Sequence, residues 1–283
     1  MSIDTIAVVG TGAMGSGIIE VAAKAGIEVV AYDIDATAIE AGKSRVEKSL
    51  AKAVERGKLD ETSHTEALAR MAWTTDLADA HRCQLAVEAA PEVLDLKLGI
   101  FAQLDEVLPA NAVMATNTSS IPIIDIAMGT TRPEQVCGMH FFNPATVMRL
   151  VEVISTQRTN PEVAQTAASF ATGVLGKRVV HCRDRAGFVV NALLVPFLCQ
   201  AIAMYEAGHA SAEDIDEAMK LGAGHPMGPL ALCDMIGLDV MLWTAESLHD
   251  EYNERHLAPP PLLRRMVSAG QLGRKTGKGF YDY

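Results

Sequence analysis

The sequence predicts an α/β fold: a doubly wound, mostly parallel sheet at the N-terminus, followed by a smaller all-helical C-terminal domain. Two observations carry this. Over the first two-thirds of the 283 residues, short β-rich runs alternate with helical stretches, and that alternation builds a mostly parallel sheet. From Gly187 onward strand candidates vanish and apolar-periodic helices take over. The change of texture at residues 182–187 sets a boundary between a first domain, 1–184, and a second, 185–283. With 49% apolar residues the chain has enough material for proper cores.

Thr5–Val9 (TIAVV) is a buried-strand candidate, and a helix over 13–25 follows it and stops at Gly26. A strand over 27–32 comes next, then a long charged helix over 36–56 that ends at Gly57. Further strands are expected over 84–88, 112–115, 136–140, 150–154 and 178–181, with helices over 93–108 and 161–175 between them. The second domain offers helices over 188–207, 212–221, 238–248 and 262–268. Breakers at His225-Pro226, Gly228-Pro229 and 259–261 separate them.

Composition narrows the function classes. Lys+Arg number 24 against 35 Asp+Glu, a formal net charge of -11. A duplex nucleic-acid binder carries a basic excess, so that class is disfavoured. An anionic small ligand remains compatible, because a local cationic cluster can hold it inside an acidic protein. The five cysteines share no close spacing and no zinc pattern, so they read as reduced thiols of a cytoplasmic protein without a metal centre. The first apolar run lacks a charged n-region and is a strand followed by a turn, not a signal peptide. No stretch approaches the roughly 20 apolar residues that span a bilayer, so no membrane partner is expected.

Gly10-Thr11-Gly12-Ala13-Met14-Gly15 directly follows the first strand and opens a helix. A bare GxGxxG is weak, but strand, glycine turn and helix N-terminus together are what a dinucleotide pyrophosphate needs. Gly10 permits the turn, Gly12 lets backbone approach the phosphates, and Gly15 lets helix and strand pack closely. Asp33 closes the second strand eighteen residues after Gly15, where its carboxylate suits the adenosine ribose hydroxyls and repels a 2′-phosphate. The combination favours NAD over NADP, while FAD proteins share the fingerprint.

Thr116-Asn117-Thr118-Ser119-Ser120 follows another strand candidate, and ligands of open α/β sheets sit beyond the carboxyl ends of strands. Taken alone, Ser119 or Ser120 equally suits capping of a helix near Pro122. His140 ends a further strand, in HFFNP, and a lone histidine there is as a rule structural. Twelve residues later Glu152 stands inside the apolar run LVEVI, where a carboxylate is costly without a partner. A His140–Glu152 pair satisfies both and raises the basicity of the imidazole, as removal of an alcohol proton requires.

The set GTGAMG, TNTSS, HFFNP, LVEVI, DRAGFVVN and GRKTGKGFYDY, running in order from residue 5 to residue 283, resembles the 3-hydroxyacyl-CoA dehydrogenase family, in particular its short 3-hydroxybutyryl-CoA type. The resemblance implies an N-terminal Rossmann domain, a helical dimerisation domain and a homodimer. It implies reversible oxidation of an (S)-3-hydroxyacyl-CoA to a 3-oxoacyl-CoA with NAD, His140 being the base and Glu152 its partner. Ser119 and Asn191 would hydrogen-bond the substrate near the reacting carbon. Glu92, Lys97, Asn117 and Lys275 match cofactor contacts. On the helix carrying Lys48, residues Ser49, Lys52 and Arg56 share one face, and Ser49 and Arg56 match the family's CoA contacts. Ala192 stands where the family usually has Arg, and Thr146 where it has a second proline. Two rival readings are a related dehydrogenase of a free hydroxy acid or sugar acid, and a dinucleotide-binding regulator without turnover.

Overall fold

The computed structural model describes residues 3–283, and the chain divides into one unit ending at Asp184 and another covering Arg185–Tyr283. The first unit runs β1 (Thr5–Val9), α1 (Ala13–Lys24), β2 (Glu28–Tyr32), α2 (Ala36–Glu55), α3 (Glu61–Ala69), β3 (Met71–Thr74), β4 (Leu85–Glu88), α4 (Leu94–Val107), β5 (Val113–Thr116), α5 (Ile123–Ala127), β6 (Val136–Phe141), β7 (Leu150–Ser155), α6 (Pro161–Ser169) and β8 (Arg178–Arg183). Among the described residues one eight-stranded sheet forms, in the order β3-β2-β1-β4-β5-β6-β7-β8. Every neighbouring pair is parallel except β6–β7, which is antiparallel.

The strand residues explain the sheet's place. β4, β5 and β6 are buried along their whole length, and central parallel strands covered on both faces need such unbroken apolar runs. Local capping starts the helices. The Asp35 carboxylate accepts from Thr37 N at the head of α2, and Asn160 accepts from Glu162 N just before Pro161 opens α6.

Several elements differ from the sequence expectation. No element was foreseen over residues 61–74, yet α3 and β3 form there. Asp60 caps α3 by accepting from Ser63 N, and β3 pairs with β2 as an edge strand. Neither Ser119 nor Ser120 caps α5. Its Ile123 and Ile124 N–H groups donate to the Asp184 carboxylate, at 3.0 and 2.7 Å, from a residue remote in sequence. The helix expected over 161–175 keeps α-geometry only to Ser169, and Phe170–Val174 widens into a π turn.

The second unit is helical: α7 (Val190–Glu206), α8 (Ala212–Ala223), α9 (Pro229–Ile236), α10 (Leu238–Tyr252) and α11 (Pro261–Ser268). Its core gathers Leu198, Ile202, Leu230, Cys233, Met241 and Leu263. α7 begins two residues later than expected, because Gly187 and Phe188 both take positive φ, 71° and 49°. The Gly228-Pro229 pair, read as a breaker, starts a helix instead: Pro229 is its first residue, and the buried Asp216 accepts from Leu230 N and Ala231 N. Buried Asp234 accepts from Phe280 N and Tyr281 N and so fastens the C-terminal segment.

Candidate active site

The strand order reverses at β1, which pairs with β2 on one side and β4 on the other. A crevice at such a switch point is the dinucleotide position of a doubly wound sheet. The glycine turn there is sterically obligatory. Gly10 has φ 98°, and a Cβ on it would lie 2.7 Å from Ala89 O. One on Gly15 would lie 1.8 Å from Gly10 O. Gly12 is the N-cap of α1 and brings no side-chain cap, so the N–H groups of Ala13 and Met14 head the helix ready for an anion. Asp33 follows β2, and its Oδ2 accepts from Thr11 N (2.8 Å) and Thr11 Oγ1 (3.0 Å). That carboxylate is therefore oriented by the glycine turn itself. The residues present fit a dinucleotide.

Beyond β4 and β5 the polar loop 116–120 is held by buried charges. Glu88, at the end of β4, accepts from Lys97 Nζ (2.6 Å) and Ala90 N (2.7 Å) on Oε1 and from Thr116 Oγ1 (2.7 Å) on Oε2. Lys97, only 1% exposed, also reaches Glu92 Oε2 at 3.3 Å. Glu92 Oε1 accepts from Thr118 Oγ1 (2.5 Å), Ser119 N (3.0 Å), Ser120 N (3.0 Å) and Ser120 Oγ (2.9 Å). Burial pushes the Glu92 carboxyl up, but Lys97 and these donors outweigh it and hold it below the usual carboxylate range. Lys97 thus lies beneath the loop, and Glu92 is the piece that grips it.

The next two strands carry a histidine–carboxylate pair. In the antiparallel β6–β7 ladder His140 stands directly opposite Glu152, and His140 Nδ1 is 2.7 Å from Glu152 Oε2. Glu152 is fully buried, while His140 keeps 6% of its surface. A carboxylate only accepts, so Nδ1 carries the hydrogen and Nε2 is the basic nitrogen. The Phe142 ring packs edge-on against the imidazole, centroids 4.6 Å apart. Asn117 Oδ1 accepts from Phe141 N at 2.8 Å and ties loop 116–120 to the strand of His140.

The remaining expected residues fall as follows. Ser119 lies in the Glu92-gripped loop. Ser49 is half-buried on α2, while Lys52 and Arg56 are exposed, Arg56 as the C-cap. Asn191 is the second residue of α7. Lys275 forms an ion pair with Asp239 in the same unit, its Nζ 2.6 and 2.5 Å from the two oxygens. Ala192 donates its N–H to Gly187 O and packs on the helical core. Sequence reasoning missed Glu88, and it missed Arg45, whose Nη1 donates to Thr11 O of the glycine turn at 2.9 Å. Glu88 had a signal, a carboxylate in an apolar strand, as Glu152 is. Arg45 had none. Among the described residues no group of His, Cys, Asp and Glu could hold a metal ion, and no helix is long and apolar enough to cross a membrane.

A dinucleotide turn at the switch point, with a buried histidine–carboxylate pair farther along the same sheet, defines a nucleotide-dependent dehydrogenase. The chain belongs to the 3-hydroxyacyl-CoA dehydrogenase family: the model for its NAD binding domain matches residues 5–185, and the model for its C-terminal domain matches residues 187–283. It is 50% identical over 283 residues to the 3-hydroxybutyryl-CoA dehydrogenase of Mycobacterium tuberculosis, covering 100% of this chain and 99% of the relative. Among solved structures it resembles FadB2 of M. tuberculosis, with a TM-score of 0.99, 50% identity and 100% of both chains covered. It also resembles the (S)-3-hydroxybutyryl-CoA dehydrogenase PaaH1 of Ralstonia eutropha, with a TM-score of 0.96, 43% identity, and 100% of this chain and 99% of that one covered.

Proposed function

We infer that the protein is an NAD-dependent dehydrogenase interconverting (S)-3-hydroxybutyryl-CoA and acetoacetyl-CoA. The observation that carries this is the 2.7 Å His140–Glu152 bond across the β6–β7 ladder, in a chain half identical to a relative that bears that activity in its name. His140 Nε2 takes the proton of the substrate's 3-hydroxyl, and Glu152 holds the Nδ1–H and offsets the charge of the resulting imidazolium. The bound nicotinamide supplies the acceptor for the hydride that leaves the same carbon. In reverse, protonated His140 donates to the developing alkoxide. Oxidation releases one proton, so higher pH favours it.

Ser119 and Asn191 hydrogen-bond the substrate's oxygen atoms in this reading. Gly10, Gly12, Ala13, Met14 and Gly15 cradle the pyrophosphate, Asp33 takes the ribose, and Glu92 and Asn117 serve the nicotinamide side. Lys97 acts through Glu92, and Lys275 is assigned to the cofactor by family likeness. Ser49, Lys52 and Arg56 hold the CoA tail. A homodimer built on the helical unit is assigned by family likeness. Five unpaired cysteines support a cytoplasmic location. The test follows NADH absorbance with acetoacetyl-CoA and, separately, acetoacetate. Oxidation of NADH by the thioester alone is expected. Equal rates with the free acid, or no turnover of either, would reject the reading.

A further inference from the structure

Helix α2 carries a cation that reaches back to the glycine turn. α2 packs closely on that turn at Gly42, where a Cβ would lie 2.7 Å from the Thr11 side chain. One turn further, Arg45 Nη1 donates to Thr11 O and to Ser16 Oγ, both at 2.9 Å. A guanidinium has five donor hydrogens in a rigid fork. Among the described residues Nη1 alone is engaged, and the side chain stays exposed. It lines a cavity of about 200 Å³ between α1 (Ala13, Gly17), α2 (Ser49) and the loop after β6 (Asn143, Ala145). Glu20 lines the same cavity, but its carboxylate is paired with Lys24 at 3.6 Å.

Arg45, Ser49, Lys52 and Arg56 follow one another at steps of four, three and four, which is one face of a helix. At the α-helical rise the row extends roughly 16 Å from the cavity to the C-terminus of α2. A cavity of this size holds only a stretch of a drug-sized molecule, so a long anionic ligand entering it must continue along α2. We propose that Arg45 is a phosphate-binding residue that holds the pyrophosphate of the substrate's CoA tail. It heads the row that Ser49, Lys52 and Arg56 continue and thereby selects a CoA thioester over a shorter one. The proposal rests on the acyl-CoA reading above and deepens it. Anchorage on Thr11 O holds the guanidinium in place before binding, so little side-chain entropy is lost when the phosphate arrives. Charge-assisted forks of this kind are the strong ones.

The test compares wild type with Arg45→Met and Arg45→Gln, both of which remove the charged fork, the second leaving a shorter neutral amide in its place. Calorimetry measures affinity for free CoA, for pantetheine and for NADH. Initial rates give the kcat/KM preference for acetoacetyl-CoA over acetoacetyl-pantetheine. In both variants CoA affinity and that preference are expected to fall on the order of ten-fold, with pantetheine and NADH affinities holding. Arg45→Lys should recover part of the loss. An unchanged preference overturns the proposal. So does a parallel fall in NADH affinity, which would make Arg45 a prop of the glycine turn or a contact to the dinucleotide's own phosphates. Wild-type protein that neither binds CoA nor reduces acetoacetyl-CoA overturns the parent reading, and the proposal with it.

Discussion

His140 and Glu152 occupy facing positions of the sheet's one antiparallel ladder and share a 2.7 Å hydrogen bond. The backbone register of two paired strands, not a loop, sets their distance, so the imidazole is oriented by the sheet. Residues that act as one unit in catalysis show non-additive losses. His140→Gln is therefore expected to lower kcat for acetoacetyl-CoA reduction by roughly 10²–10⁴ while NADH affinity holds. Glu152→Gln should also cost orders of magnitude, because it frees the ring to adopt the wrong tautomer. The double variant should be no worse than about the single His140 variant. Stopped-flow absorbance of NADH measures all three, and a strictly multiplicative double loss would separate the two residues' roles.

Lys97 is the counter-ion of two carboxylates under the loop 116–120. Removing one partner of a buried ion pair costs about 3–5 kcal/mol, since the remaining charge stays desolvated. Lys97→Met should shift the urea midpoint accordingly, and adding Glu88→Gln should restore part of it. A loss below about 1 kcal/mol would show that water reaches the acids.

Glu92 supplies a pH dependence whose sign follows from its depressed carboxyl. Its unfolded counterpart binds protons more readily, so its contribution to stability is complete above the ordinary value of 4.5. The contribution fades as pH falls through the lower folded value. The stability gap between wild type and Glu92→Gln should therefore be largest near neutrality, about 1–3 kcal/mol, and close in acid. Urea titrations at neutral pH and near pH 3 check this, and a gap that widened in acid would contradict it.

Asp33 is pre-set by two bonds from Thr11. Asp33→Ser should reduce the kcat/KM preference for NADH over NADPH by at least about ten-fold, because it removes the charge that repels a 2′-phosphate. Parallel assays with the two reductants read the ratio directly.

The cysteines should be inert in the native state. Burial pushes the thiols of Cys83 and Cys137 up to about 12 and that of Cys199 up to about 11. Burial with the Glu152 and Asp184 charges raises Cys182 to about 12, and burial first of all raises Cys233 well above the ordinary value. At pH 8 almost no thiolate is present to react. Iodoacetamide should label the native protein slowly and all five thiols in guanidinium. Rapid native labelling of any one of them would count against this.

Local pattern made much of the protein legible in its sequence. The glycine turn, Asp33 and the switch to apolar-periodic helices after Gly187 are short-range signals, and each stands close to where it was expected. The pairing of His140 with Glu152 was legible too, because a carboxylate in an apolar strand demands a partner. Only the tertiary structure decided that β6 and β7 run antiparallel in a register that puts those two side chains face to face. It alone buried Lys97 between Glu88 and Glu92, sent Asp184 to cap α5, and laid Arg45 on the glycine turn. α3 and β3 had too weak a periodicity to be read, and their short helix and edge strand depend on neighbours for burial. Periodicity and capping act within a few residues and can be read along a chain. How Lys97, Asp184 and Arg45 find their partners is set by how strands and helices close on one another, and linear spacing does not name those partners.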